Sequence, residues 1–199
     1  MKAILTVLMV VILANPAFCL HYTLNESIKT DTVKNRKIRH YEREMIINGS
    51  QEEVFTFMDD IRNTGKHMTE SSGAMAGSKL KIEWLSDHKM GLGTKYRWTG
   101  KVVGMKMDFT VEVSKWIEGK EKVWGTVGGD ARMIVIDWFE MDLIMTPEKD
   151  GKSKAKLDIY YIKHRGLWGF LFGKWYSKWC VKSMLKDTRK HFENKTNEK

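Results

Sequence analysis

The chain has 199 residues, of which 42% are hydrophobic and 30% charged, with two prolines, two cysteines, eight tryptophans and a formal net charge of +9. These proportions exclude a collagen-like chain, a low-complexity chain and a mostly disordered one, and the length suits one domain with a sizeable core. Two cysteines exclude a disulfide scaffold and a multi-cysteine zinc site, while the positive charge would attract nucleic acid, anionic lipid or an acidic ligand without choosing among them.

The N-terminal segment has the pattern of a targeting signal. Lys2 precedes an unbroken apolar run over residues 3–14, which Asn15 and Pro16 end. The following Ala-Phe-Cys offers small residues two apart, as at a signal-peptidase site. We therefore predict a secretory signal peptide over residues 1–19 and export to a periplasm or to the extracellular space.

Two alternatives remain open for this segment. Residues 3–14 could be retained as a membrane anchor, although they fall short of the roughly 20 residues that cross a bilayer. Cys19 could be the acylated residue of a bacterial lipoprotein, although bulky Phe18 precedes it. Residues 20–37 are polar and lack periodicity, so we predict a flexible tether there, and we expect a disordered tail over residues 194–199.

The folded domain, predicted over residues 38–193, begins with a strand and a helical region. Residues 38–48 read as the first strand. Ser50 stands three residues before Glu53, a capping box that satisfies free amides at a helix start. Apolar residues then recur at helical spacing, which predicts two short helices ending near residue 65.

Beyond a Ser/Gly-rich stretch the periodicity changes to alternation, which predicts strands. The links between them are short and contain glycine, so neighbouring strands must run antiparallel as a meander. The predicted strands lie near residues 79–86, 93–103, 107–117, 121–127, 131–146 and 153–163.

The chain closes with its longest helical pattern, over residues 167–192. Trp168, Phe172, Trp175, Trp179 and Leu185 recur there at helical intervals. A sheet with one wet face must bury the other, and only this helix is long enough to cover it. We expect an α+β fold in which a curved antiparallel sheet of about seven strands wraps around the C-terminal helix.

Several stretches together resemble the SRPBCC superfamily. They are residues 46–55 at the first strand and helix, 91–98 opening a central hairpin, 138–147 on a long strand, and the final helix. This helix-grip fold is shared by START lipid-transfer domains, plant pathogenesis-related allergens and polyketide cyclase-like proteins. The resemblance implies a hydrophobic ligand in a cavity between sheet and helix, on a scaffold that hosts carriers, sensors and a few enzymes.

Large rings and flexible methionines share the predicted inner face of the sheet and helix. Such side chains suit a wall that adapts to an apolar guest, but they would equally fill a solid core. Both interpretations stay open, and the resemblance favours a cavity. The candidate ligand-binding residues are Tyr96, Trp98, Phe109, Val111, Trp124, Phe139, Met141, Phe172, Trp175 and Trp179.

Basic residues recur every four positions along the final helix. The row winds over about 160°, a half that we expect to lie opposite the aromatic half. It is a solvated polar face or an electrostatic landing surface for anionic lipid. Trp168, Phe170 and Phe172 at the helix start are expected to be buried, the alternative being that they dip into a membrane interface. The row consists of Lys174, Lys178, Lys182, Lys186 and Lys190.

Only two residues, both weak candidates, could carry out acid/base catalysis. His67 follows the second short helix, near where this fold's cavity commonly opens, and Asp137 shares strand parity with Phe139 and Met141. If both faced the cavity, they could shuttle a proton for cyclisation or dehydration. The alternative is that His67 is a surface loop residue and that Asp137 pairs with a neighbouring Lys or Arg. Cys180 is expected to be a small buried residue.

The sequence contains no familiar metal, nucleophile-elbow or paired-cysteine motif, so we predict no metal and no cofactor. Our leading interpretation is a monomer that binds or transports a hydrophobic, lipid-like small molecule without covalent chemistry, with an anionic membrane surface as a second partner. The alternative is a polyketide cyclase or dehydratase that uses the same cavity. Nucleic acid is not an expected partner, because an export signal removes the chain from it.

Overall fold

Seven antiparallel strands form one sheet. The computed structural model describes residues 36–69, 79–102 and 104–197, so the predicted signal peptide and most of the tether lie outside the described residues. The spatial order is β1-β7-β6-β5-β4-β3-β2, which confirms the meander. The strands are β1 Arg39–Ile47, β2 Leu80–Trp84, β3 Lys95–Val102, β4 Met105–Ile117, β5 Glu121–Arg132, β6 Ile136–Pro147 and β7 Ser153–Lys163.

The ladder between β5 and β6 is short. Its paired residues run from Glu121 opposite Ile144 to Gly125 opposite Glu140. The side chain of Thr126 extends the contact by one step, since its hydroxyl donates to the Phe139 carbonyl at 3.2 Å and accepts from the Phe139 amide at 3.1 Å. Beyond this point β5 continues against β4 alone, so the sheet opens between β5 and β6.

This opening corrects one predicted strand. Residues 131–135 were expected to begin the strand that ends at 146, but β5 runs through Arg132 and β6 begins at Ile136. The apolar run from Met133 to Ile136 reads as a strand in the sequence. In the structure it is the link in which the chain reverses, and it is apolar because it faces the interior.

Three short helices follow β1: α1 Gln51–Asp59, α2 Ile61–Thr64 and α3 Lys66–Thr69. The predicted capping box is present, because the Glu53 amide donates to Ser50 Oγ and the Ser50 amide donates to the Glu53 carboxylate. Asp60 adopts an extended conformation and accepts a hydrogen bond from the Arg62 amide at 2.9 Å. This side chain therefore ends α1 and starts α2.

The final helix, α4, spans Leu167–Asn197 and lies against β1 and β7. It continues five residues beyond its expected end at residue 192 and into the expected tail. No described helix is both long enough and apolar enough to cross a membrane. The C-terminal half of α4 is tightly covered from Leu185 onward: Leu185 and Thr188 are fully buried, and Phe192 lies over Gly49, where a Cβ atom would come within 2.6 Å of the Phe192 ring. The helix-grip α+β fold is thus confirmed.

Candidate functional site: a cavity under the start of the final helix

An apolar cavity of about 260 Å³ lies between the sheet and the N-terminal half of α4. Its volume is near the lower end of the range of about 300–1,000 Å³ that is usual for small-molecule sites. Its lining combines rings and thioethers with few polar groups, which suits an apolar guest. Strands β3 to β7, the β5–β6 link, α2, α3 and α4 all contribute side chains.

The cavity brings together most of the ligand-binding candidates. Val111 is fully buried outside the lining, in the solid core below the cavity, and Trp179 stands behind the wall, with its ring stacked on Trp175 at 6.2 Å between centroids. The candidates that line the cavity are Tyr96, Trp98, Phe109, Trp124, Phe139, Met141, Phe172 and Trp175.

Sequence reasoning missed two parts of the wall. The first is the link from Met133 to Ile136, which the strand prediction absorbed. The second is one face of α4, formed by Tyr176, Cys180 and Met184. Their spacing of four residues is typical of one face of a helix, but the prediction of the lining followed the neighbouring tryptophans instead. Burial among these side chains raises the pKa of the Cys180 thiol to about 12, so Cys180 is an inert wall residue.

The mouth of the cavity corrects the expectation that the start of α4 is buried. Trp168, Phe172 and Trp175 line the cavity and yet are 40% to 50% exposed, and Phe170 is 74% exposed. The start of α4 packs against the β5–β6 link, where a Cβ atom on Gly173 would come within 2.8 Å of the Val135 carbonyl oxygen. The rings of Trp168, Phe172 and Trp175 therefore border the mouth of the cavity, and Phe170 lies outside the lining.

His67 lies in α3 at the cavity wall and not in a surface loop, so that expectation was wrong. Its Nδ1 is 2.9 Å from the carbonyl oxygen of Thr64, and because a carbonyl only accepts, Nδ1 carries the proton. Its ring meets that of Trp179 edge to face, with 5.0 Å between the centroids. Burial lowers the pKa of His67 to about 4, so the imidazole is neutral at physiological pH.

Asp137 does not join His67, and the predicted strand parity was wrong. The β6–β7 register shifts between Ile136 and Trp138, so Asp137 is the extra residue of a bulge and the alternation changes phase there. As a result Ile136 and Phe139 line the cavity, while the Asp137 carboxylate lies 2.5 Å from Nδ1 of His164. The Asp137 carboxylate thus has a histidine partner that the sequence did not predict.

The lysine row is not opposite the aromatic residues. Trp175 and Lys182 are seven residues apart, which places them within about 20° of each other around the helix. The two groups are separated along the axis instead, the rings preceding most of the lysines. Lys178 is half-buried, with its ammonium 5.2 Å from the Tyr41 ring centroid. The exposed members of the row are Lys174, Lys182, Lys186 and Lys190.

One group of side chains on the outer face of the sheet has metal-ligand chemistry. Potential ligand atoms of His40, Glu42 and Asp158 lie within 4.8 Å of one another. Lys156 already occupies this cluster, because its ammonium lies 3.0 Å from the Glu42 carboxylate and 3.4 Å from that of Asp158. The lysine supplies the positive charge that a metal would supply, so we assign no ion here.

Comparisons with known proteins place this architecture among solved structures. No protein-family model matches the sequence, and neither does any curated protein. The structure resembles the Zhui aromatase/cyclase from Streptomyces, with a TM-score of 0.61 and 10% identity over 80% of this chain and 96% of that one. It also resembles norcoclaurine synthase from Thalictrum flavum, with a TM-score of 0.60 and 10% identity over 81% of this chain and 98% of that one.

A START superfamily protein from Mycobacterium smegmatis is similar as well, with a TM-score of 0.55 and 12% identity over 78% of this chain and 97% of that one. At these identities the likeness concerns the fold and leaves the activity undetermined. Neighbours of the described domain thus include two enzymes and a START superfamily protein. The chain has a helix-grip fold like that of SRPBCC and START-like proteins.

Proposed function

We propose that this protein binds or transports a hydrophobic small molecule in the cavity under α4 without covalent chemistry. The observation that carries the proposal is the combination of an apolar wall with a rim of exposed rings. Trp98, Phe109 and Met141 form part of a buried wall, while Trp168 and Trp175 stand half in solvent at the entrance. When a guest is enclosed there, apolar surface of both the guest and the cavity is removed from water, which favours binding.

The volume of the cavity narrows the kind of guest. A space of about 260 Å³ accommodates a compact ring system or a short chain more readily than a whole two-chain lipid. Methionines at Met105, Met107, Met133, Met141 and Met184 line it, and their unbranched side chains can change rotamer to enlarge or reshape the space. We therefore propose a lipid-like or polyketide-like guest of modest size.

The alternative, a cyclase or dehydratase, loses its proposed acid/base pair. Asp137 lies against His164, and His67 stands at the wall as a neutral imidazole whose Nδ1 proton is directed to Thr64. The same fold in an aromatase/cyclase supports the scaffold alone. Binding without chemistry is the function that this arrangement favours.

The proposal extends to where the protein works. Export through residues 1–19 and action as a monomer are part of it, as is attraction to anionic membranes by the exposed lysines of α4. Export is tested by N-terminal sequencing of the protein secreted from its own host, since cleavage after residue 19 supports it and a retained Met1 opposes it. Light scattering during gel filtration tests the monomer.

The binding claim is tested by native mass spectrometry after gentle purification and by tryptophan fluorescence with a panel of fatty acids, sterols and aromatic polyketides. We expect a bound mass or a saturable fluorescence change with at least one compound class. Met141→Trp should fill the cavity and abolish the response, whereas Leu143→Met, two residues away in the solid core, should keep it. A guest-free mass together with no response to the whole panel would refute the proposal.

A further inference from the structure

The start of α4 carries an apolar surface of unusual density. Six large apolar side chains within nine residues are each between 40% and 74% exposed. Soluble proteins rarely expose a contiguous patch of this kind unless it contacts a partner or a membrane. We call this surface the apolar rim, and it consists of Leu167, Trp168, Phe170, Leu171, Phe172 and Trp175.

Small residues on the inner side of the helix hold the rim outward. Gly173 lies directly against the β5–β6 link, where a Cβ atom would come within 2.8 Å of the Val135 carbonyl oxygen. Gly169 is packed against the backbone of His164 in the same way. Because only glycine fits at these two contacts, the neighbouring large side chains are placed on the solvent side. The start of α4 thus exposes large apolar side chains, whereas the outer face of a surface helix is usually polar.

Contacts with Lys163 and Gly166 also hold the first turn of α4 in place. The ammonium of Lys163 donates to the Phe170 carbonyl oxygen at 2.7 Å and lies 5.3 Å from the Phe170 ring centroid. The Phe170 amide donates to the Gly166 carbonyl oxygen at 3.0 Å. These contacts hold the most exposed ring of the rim in place on the surface. The rim is therefore a built surface on a regular helix.

The charge around the rim identifies its partner. Between Asp158 and Asp187 the chain has no acidic residue and six lysines or arginines, including Lys163, Arg165 and Lys174 next to the rim. The carboxylate of Asp137 reaches this segment from β6 and is in contact with His164. Tryptophan and phenylalanine flanked by basic residues are the composition that favours the interface of an anionic bilayer.

The rim is continuous with the cavity. Trp168, Phe172 and Trp175 belong to both, and the Trp168 and Phe172 rings stack with 5.6 Å between their centroids. We infer that the apolar rim inserts into the surface of an anionic lipid bilayer, which places the cavity mouth against the acyl chains. A guest then passes between membrane and cavity without crossing water. Transfer of a guest rests on the proposed function, whereas insertion itself does not.

Sedimentation with vesicles of phosphatidylcholine containing about 30 mol% phosphatidylserine tests the inference. The test variant is Phe170→Ser with Leu171→Ser, since both side chains belong to the rim and neither lines the cavity. We expect the partition coefficient to fall by about ten-fold or more. Leu92→Ser removes a similarly exposed side chain from a distant turn and should bind vesicles like the wild type.

Salt separates insertion from simple attraction. Raising the salt concentration to about 0.5 M should weaken vesicle binding by the wild type, because salt screens charge attraction. Part of the wild-type binding should persist, and the double variant should lack this part. Brominated acyl chains should quench the tryptophan fluorescence of the wild type and not that of the double variant. Equal thermal melting of the two proteins without vesicles establishes that the variant is folded.

Three results would overturn the inference. The first is that the wild type does not bind these vesicles, and the second is that the double variant binds them as well as the wild type. The third is that the wild type is a dimer and the double variant a monomer, which would make the rim a self-association surface. Guest binding by both proteins is measured separately without vesicles. The double variant should retain it, so loss of docking and loss of guest binding are independent outcomes.

Discussion

The two halves of α4 differ in what they touch. From Leu185 onward the helix packs into a solid interior, where Leu185 and Thr188 are fully buried and Phe192 closes over Gly49. The N-terminal half covers a void and leaves Trp168 and Trp175 half in solvent. One helix therefore serves two purposes, since one end stabilises the fold and the other end borders a site that must stay open.

A buried ion pair between β5 and the end of α1 should give the largest effect of a single substitution. Lys122 Nζ lies 2.7 Å from Asp59 Oδ1 and 2.6 Å from the Asp59 carbonyl oxygen, and both residues are almost fully buried. Lys122→Met leaves the carboxylate without its cation, which should lower the free energy of unfolding by about 3–5 kcal/mol in urea titrations. Lys120→Met, at an exposed site, should change it by less than about 0.5 kcal/mol. Equal stability of the two variants would contradict this account.

Matched truncations in α4 sharpen the comparison. Leu185→Ala removes a fully buried side chain and should lower the free energy of unfolding by about 3 kcal/mol. Trp175→Ala removes a larger side chain, but this one is half-exposed beside a void and should cost less than about 1 kcal/mol while weakening guest binding. Denaturant melts of both variants provide the measurement. Similar losses in the two variants would show that the helix is uniformly packed.

A pH-dependent effect is expected from His67 at the wall of the open end. Burial lowers its folded pKa to about 4 from an ordinary 6.5, so the folded state binds fewer protons than the unfolded state between these values. The stabilising contribution is complete above pH 6.5 and is lost as the pH falls toward 4. Between pH 7.5 and 4.5 the wild type should lose about 2 kcal/mol more than His67→Gln. Parallel pH profiles of the two proteins would mean that His67 titrates normally.

The sequence predicted the fold well because most elements carry strong local signals. β7 occupies the predicted residues 153–163, where alternating apolar residues follow a turn in which Asp150 and Gly151 have positive φ. The capping box at Ser50 was visible for the same reason, since its two partners are three residues apart. Local patterns of this kind need no knowledge of the remaining chain.

The site was less predictable because it depends on where pairing stops. Nothing near Gly125 shows that the β5–β6 ladder ends there and that the link after it lines the cavity. The bulge at Asp137 reverses the strand parity without any glycine or proline to mark it. Helical periodicity identified α4 but could not show that the large apolar side chains at its start are exposed.

The central claim is that an open apolar space lies under α4 as far as Met184, whereas the described helix from Leu185 onward packs against a filled core. A crystal of the protein pressurised with xenon tests this directly, since xenon occupies dry apolar cavities. We predict xenon density among Phe109, Phe139 and Met141, with none beside Leu185. A crystal in which these rings interlock and no xenon enters would contradict the account.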